Sequence, residues 1–169
     1  MKKILFLLIL FPVVCFSQKL KNKKFTIDFL GGLYSNFNKW EENGVSGGYE
    51  FSYNNNSIIY STNCLVGVGF SKNINTKNGY IHAFLEANLL IGTKLKLSNS
   101  ISLIPQTGIG YLHLTNHFQG DKTNLIGLPI QAKILFFDNK KLSVGLIPHV
   151  ILNKVQNNYM LNITLNLKI

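Results

Sequence analysis

The sequence ends in Tyr159-Met160-Leu161-Asn162-Ile163-Thr164-Leu165-Asn166-Leu167-Lys168-Ile169, where apolar and polar side chains alternate almost without interruption. The odd-numbered positions are all apolar, and the even-numbered ones are mostly Asn, Thr or Lys. A period of two puts successive side chains on opposite faces of a β-strand, whereas a helix repeats its apolar positions about every 3.6 residues. This segment is therefore predicted to be a strand with one apolar face and one mostly polar face.

The same alternation recurs along the chain and predicts eight antiparallel strands. Their approximate ranges are 23–35, 44–54, 57–72, 79–97, 100–115, 123–137, 140–153 and 157–169. Tight turns follow the second, fourth and sixth strands. Longer polar loops follow the first, third and fifth strands, at 35–43, 72–78 and 116–122. An up-and-down barrel with an even number of strands has this arrangement, with all tight turns at the end that holds both termini.

One predicted strand has an irregular alternation. Within 100–115, Pro105 and Gly108 interrupt the apolar pattern. Proline removes a hydrogen-bond donor from a strand and glycine often marks a bulge, so a bulge or a slip of register is expected there.

Residues 1–17 have the pattern of a secretory signal peptide, and residues 18–169 are predicted to form a single β-barrel domain. Lys2 and Lys3 precede an apolar run of 12 residues, which is shorter than the roughly 20 residues of a membrane-spanning helix. Ser17 supplies the small residue expected before the cleavage point. Cleavage would leave Cys64 without a second cysteine in the chain, so no internal disulfide is expected.

Composition indicates which face of each strand meets lipid. Charged residues make up 14% of the chain, against about 25% in ordinary soluble domains. The polar faces contain mainly Gly, Ser, Thr, Asn and Gln, whereas the wet face of a soluble barrel is rich in Lys and Glu. All 17 basic residues are lysines, and the lack of arginine argues against nucleic-acid recognition by Arg-to-base contacts. These features favour a transmembrane barrel with its apolar face toward lipid.

The charges on the polar faces predict a network inside the barrel. The predicted members are Asp28, Glu50, Glu86, Lys94, Lys96, Lys133 and His149. Buried charges are costly unless they are paired and hydrogen-bonded. An eight-stranded barrel is just wide enough to be filled by side chains. We therefore expect an ion-pair and hydrogen-bond network in a closed lumen.

These features together resemble the small eight-stranded outer-membrane β-barrel proteins of Gram-negative bacteria. The segment Ile126-Gly127-Leu128-Pro129-Ile130-Gln131-Ala132-Lys133 is similar to a strand of the group called the outer membrane protein beta-barrel domain. The resemblance implies an outer-membrane location, contact with outer-membrane lipid and lipopolysaccharide, and handling by the barrel-assembly machinery during biogenesis. The resemblance does not imply one activity. The leading hypothesis is a structural or interaction role without a cofactor, in which polar loops are displayed at the cell surface for adhesion or envelope assembly.

Four lysines fall in the predicted outer loops, namely Lys39, Lys72, Lys77 and Lys122. Their charge suits contact with the anionic phosphates of lipopolysaccharide, and it equally suits the solubility of exposed loops. Both interpretations remain open at the level of the sequence.

An alternative function is hydrolysis of an acyl chain. The segment His113-Leu114-Thr115-Asn116 is similar to the His-x-Ser-Asn motif of outer-membrane lipid A deacylases, which are also eight-stranded barrels. The resemblance implies that His113 is the base and Thr115 the nucleophile. Such a pair needs a third group to orient the histidine. Since no glutamate follows residue 86, the orienting acid would be Asp121 or a more distant group. The alternative interpretation is a polar strand end that enters a loop.

A second alternative is a secreted, soluble lipocalin-like barrel that binds an apolar ligand inside. A membrane barrel and a soluble barrel of this kind differ in the direction of their apolar side chains. In the membrane barrel Leu85, Ile130 and Leu165 point away from the barrel axis, and in the soluble barrel they point toward it. The histidines have no recognised ligand spacing, so no metal site is expected.

Overall fold

The computed structural model describes residues 25–36, 42–55, 57–72, 79–116, 122–155 and 157–169. The predicted signal peptide and most of the three long loops lie outside these residues. The long strands are β1 (Phe25–Asn36), β2 (Glu42–Asn55), β3 (Ile58–Lys72), β4 (Gly79–Thr93), β5 (Ile101–Asn116), β6 (Lys122–Phe136), β7 (Leu142–Leu152) and β8 (Asn158–Lys168). In the described part of the chain, no helix is long and apolar enough to cross a membrane.

The eight strands form a closed antiparallel barrel. Each strand pairs with the next one along the chain, and β8 returns to pair with β1. A break at Lys94 separates β4 from a short continuation, Leu95–Lys96, which also pairs with β5. The predicted eight-stranded up-and-down barrel is therefore confirmed.

The pairing register tilts the strands strongly. Paired residues, followed once around the wall, advance by ten positions along β1, from Phe25 to Ser35. The intermediate pairs run through Tyr53, Tyr60, Ile91, Thr107, Ile130, Val150 and Tyr159. This stagger corresponds to a strand tilt of about 40°. Strands of 11 to 16 residues at that tilt span the apolar band of an outer-membrane barrel, which is about 25 Å tall.

The predicted bulge or slip in β5 is wrong. Thr107 pairs with Ile130 and Gly110 pairs with Gly127, so the register before Gly108 continues unchanged after it. A Cβ atom at Gly108 would collide with the carbonyl oxygen of Leu89 on the neighbouring strand. Glycine here therefore permits a close approach of two backbones and does not mark a break.

The apolar faces of the strands point outward. Leu85, Ile130 and Leu165 are 40%, 42% and 42% exposed, whereas the adjacent Glu86 and Gln131 are 0% and 3% exposed. A barrel that stores an apolar ligand needs the opposite orientation. The lipocalin-like alternative is therefore inconsistent with the structure.

Candidate functional site

A buried ion pair crosses the middle of the barrel. Lys133 on β6 donates to Asp28 Oδ2 on β1 at 2.5 Å and to Glu50 Oε1 on β2 at 2.8 Å. The lysine side chain is 2% exposed, and both carboxylates are fully buried. Thr164 and Asn166 on β8 each donate to Asp28 Oδ1 at 2.9 Å. The ammonium group of Lys133 thus joins strands on opposite sides of the barrel through charge-assisted hydrogen bonds.

Gln131 connects this ion pair to a second buried carboxylate. Its Nε2 donates to Glu50 Oε2 and to Gln106 Oε1, both at 2.8 Å. Its Oε1 therefore faces His149 Nδ1 at 3.0 Å, so this nitrogen is the donor. His149 Nε2 lies 2.7 Å from Glu86 Oε1. Because a carboxylate only accepts, the contact requires one proton shared by His149 and Glu86.

A second charged cluster closes the tight-turn end. Asp138, in the turn between β6 and β7, lies 2.6 Å from Lys94 Nζ and 2.8 Å from Lys168 Nζ. Ser102 donates to its Oδ2 at 2.5 Å. Burial by itself would raise the pKa of Asp138, but the hydrogen bonds from Lys168, Lys94 and Ser102 outweigh burial and hold its pKa below the usual range.

The seven predicted lumen residues divide into two groups. Those that are buried and linked by the hydrogen bonds above are Asp28, Glu50, Glu86, Lys133 and His149. Lys94 lies at the tight-turn rim instead, and Lys96 is exposed and outside the network. Pairing of β4 is interrupted after Thr93, and Lys96 lies on the short continuation at the tight-turn end, where its side chain is exposed to water. Asp138 was not predicted, since its turn position indicated only solvent exposure.

The interior also contains apolar side chains, which share the inward faces of the strands with the polar network. A cluster toward the loop end comprises Leu30, Tyr34, Leu65, Phe84, Leu112, Ile147, Ile151 and Met160. A Cβ atom at Gly67 would collide with the Phe84 ring, so this glycine makes room for the cluster. A smaller cluster of Ile59, Ile104 and Leu135 lies toward the tight turns. The polar network thus lies between these two clusters, and a cavity of about 260 Å³ adjoins Lys133 on the tight-turn side.

The predicted hydrolase residues lie near the loop end of β5. Thr115 Oγ1 is 3.3 Å from His113 Nε2, and His113 Nδ1 is 2.6 Å from Asn124 Oδ1 on β6. Tyr111 donates to the same Asn124 oxygen at 2.8 Å. That oxygen accepts, so His113 donates from Nδ1, and its Nε2 faces the Thr115 hydroxyl. Asp121, the predicted orienting acid, lies outside the described residues.

Asn124 is the residue that sequence reasoning missed at this cluster. It is the direct cross-strand partner of His113 in the β5–β6 pairing. Pairing β5 with β6 as a hairpin brings His113 and Asn124 together. Asparagine is uncharged, however, so the sequence alone gave no reason to select it as a site residue.

Comparisons with known proteins match the fold. No family model and no curated protein matches the chain. Among solved structures, Neisserial surface protein A (NspA) matches 88% of this chain and 98% of its own, with a TM-score of 0.63 and 8% identity. The N-terminal β-barrel domain of Pseudomonas aeruginosa OprF covers the same shares, with a TM-score of 0.56 and 9% identity.

A third match is Ail, the attachment invasion locus protein of Yersinia pestis, in complex with the heparin analogue sucrose octasulfate. The match covers 85% of this chain and 96% of Ail, with a TM-score of 0.54 and 12% identity. Identities this low establish the fold alone. This chain has the fold of the small eight-stranded outer-membrane β-barrels.

Proposed function

We propose that the chain is an integral outer-membrane barrel that is anchored in lipid and displays its polar loops for adhesion or envelope assembly. The observation that carries the proposal is the outward apolar belt around an interior of buried charges. Phe29, Leu89 and Ile163 are 57%, 64% and 65% exposed on three different strands. Monomeric soluble proteins rarely expose contiguous apolar patches above a few hundred Å². In a bilayer these exposed apolar side chains would contact acyl chains instead of water.

The narrow barrel, whose interior charges are buried and paired, directs the proposal away from general diffusion. General diffusion pores have about 16–18 strands and a water-filled channel. Here a barrel of eight strands contains a buried polar network between two apolar clusters. The proposed adhesion or assembly function therefore resides on the outer surface and in the loops that follow β1, β3 and β5. The attachment role stated in the name of Ail is in line with such display.

Fractionation tests this function. Expressed in a Gram-negative host, the protein is expected to stay with outer membranes during alkaline carbonate extraction, because its contact with lipid is apolar. Its unboiled form is expected to migrate differently from its boiled form in a detergent gel, since a closed barrel resists unfolding by detergent. Release into the soluble fraction by carbonate would contradict the proposal.

The contacts of His113 favour acyl hydrolysis as a second candidate function. In this function the Thr115 hydroxyl attacks an ester carbonyl of lipid A while His113 Nε2 takes its proton. Asn124 holds the imidazole through Nδ1, as asparagine does in Cys-His-Asn proteases. The collapsing intermediate expels the alcohol, to which His113 returns the proton. Water then releases the fatty acid from Thr115.

Mass spectrometry of lipid A tests the second function. The wild-type chain is expected to remove one acyl chain, and Thr115→Val or His113→Ala is expected to abolish the removal. Thr107→Val is the matched control, because Thr107 lies on the same strand and donates only to the Pro129 carbonyl at 3.0 Å. An unchanged acylation pattern with the wild-type chain would rule out this hydrolase.

A further inference from the structure

The tight-turn end of the barrel carries a concentration of positive charge, which we call the basic rim. It consists of Lys94, Lys96, Lys140, Lys141 and Lys168, and Asp138 is its one acidic side chain within the described residues. Lys94 and Lys96 lie in the connection after β4, Lys140 and Lys141 in the turn after β6, and Lys168 at the end of β8. The backbone N–H of Lys168 donates to the Lys141 carbonyl at 2.9 Å, and Asp138 bonds both Lys94 and Lys168.

Three of these lysines are available to an outside partner. Lys96, Lys140 and Lys141 are exposed. No carboxylate of the described chain lies within ion-pair distance of them. Lys94 and Lys168 share Asp138, so the cluster that they form keeps one excess positive charge.

Apolar side chains are interleaved with the basic rim. Leu95, Leu97 and Phe137 are 46%, 61% and 53% exposed. Lysines at a lipid interface extend their ammonium groups to the headgroups while apolar neighbours enter the acyl boundary. A soluble polyanion would neutralise the lysines but would leave these apolar groups in water. The mixture therefore favours a lipid surface.

Phe137 opens the tight turn between β6 and β7, in which the Lys140 N–H donates to the Phe137 carbonyl at 2.9 Å, and its backbone conformation is unusual. Its φ is 60°, a region that bulky residues rarely adopt and that glycine or asparagine tolerates. The Lys140 ammonium lies 5.4 Å from the centre of its ring. Strained residues of this kind concentrate at functional positions. The strain is compatible with selection for an aromatic ring at the rim.

We propose that the basic rim binds anionic phospholipid headgroups of the leaflet at the tight-turn end, with Phe137, Leu95 and Leu97 in the interfacial layer. This inference rests on the proposed membrane function, because only an inserted barrel brings the rim to headgroup level. The recognised chemistry is a phosphodiester anion that is joined to an acyl boundary.

Spin-labelled lipids in nanodiscs test the inference. The wild-type barrel is expected to prefer labelled phosphatidylglycerol over phosphatidylcholine by on the order of fivefold at low ionic strength, and added salt should reduce the preference. The triple variant Lys96→Gln, Lys140→Gln, Lys141→Gln should lose most of it. The matched triple variant Lys72→Gln, Lys122→Gln, Lys154→Gln, at the loop end, should keep it.

A single substitution separates lipid binding from folding. Phe137→Asn is expected to leave the unfolding midpoint equal or higher, because asparagine tolerates the positive φ, while the phosphatidylglycerol preference falls. A lower midpoint with an unchanged preference would assign Phe137 to folding and contradict its interfacial role.

The outcomes distinguish this inference from the function on which it rests. Failure of the wild-type chain to insert into bilayers counts against the membrane function itself. An inserted barrel that shows equal preference for the two lipids overturns the basic-rim inference alone. So does equal loss of preference in both triple variants. Suppression of the preference by inorganic phosphate, beyond that by chloride at equal ionic strength, would assign the site to free phosphate and overturn the lipid assignment.

Discussion

Lys133→Met is expected to destabilise the folded barrel by about 3–5 kcal/mol, the usual consequence of removing one partner from a buried ion pair. The substitution leaves Asp28 and Glu50 buried without their cation. Each keeps some hydrogen bonds, from Thr164 and Asn166 or from Ser52 and Gln131. These neutral donors do not offset two negative charges in an enclosed interior.

Urea titration of the barrel in lipid vesicles measures this effect, with the unboiled gel mobility as the readout of folded protein. The control combines Lys133→Met with Asp28→Asn and Glu50→Gln, so no unpaired charge remains. Replacing a whole buried ion pair is often close to neutral, and the triple variant is therefore expected to recover most of the loss. If Lys133→Met alone were as stable as the wild type, the central ion pair would not be what holds the interior together.

Ile163→Lys is expected to destabilise the inserted barrel by about 2–4 kcal/mol, the cost of a basic side chain at the bilayer midplane. Ile163 lies at the middle of β8 and is 65% exposed on the outward face. None of the described residues covers this face of Ile163, so the new ammonium group would meet acyl chains. The same vesicle titration measures the change.

Val155→Lys is the matched control for that substitution. Val155 is 55% exposed in the connection between β7 and β8, beyond the strand ends. A lysine there should change stability by less than about 1 kcal/mol, because the cost falls toward zero near the interface. Equal effects at the two positions would mean that the apolar belt does not face lipid.

Much of the fold can be predicted from local pattern. A period of two between Tyr159 and Ile169 assigns each side chain of the last strand to one or the other of its two faces. This assignment does not depend on distant residues. The outward orientation followed from composition, since the polar faces have too few charges for a wet surface. The same local pattern misjudged β5, where Pro105 and Gly108 indicated a slip, because the close approach of the Leu89 backbone belongs to the pairing of β5 with β4 and does not show in the pattern of β5 alone.

The side-chain contacts inside the barrel, in contrast, join residues that are far apart in the sequence. Lys133 and Asp28 are 105 residues apart in the sequence, and neither residue type selects the other among the lumen charges. Phe84 occupied a position that alternation assigns to the polar face, although it packs in the apolar cluster beside Gly67. Local pattern also gave no reason to place Asn124 beside His113.

The sequence by itself determined the strand number, the antiparallel order and the face that points outward, because alternation and turn residues act over a few neighbouring positions. Only the tertiary structure decided which buried charges meet, which apolar residues close the interior and which lysines form the basic rim. The physical reason is the stagger of ten residues that accumulates around the closed wall. It sets the height of every inward side chain relative to those across the lumen, and closure imposes it on the whole barrel at once.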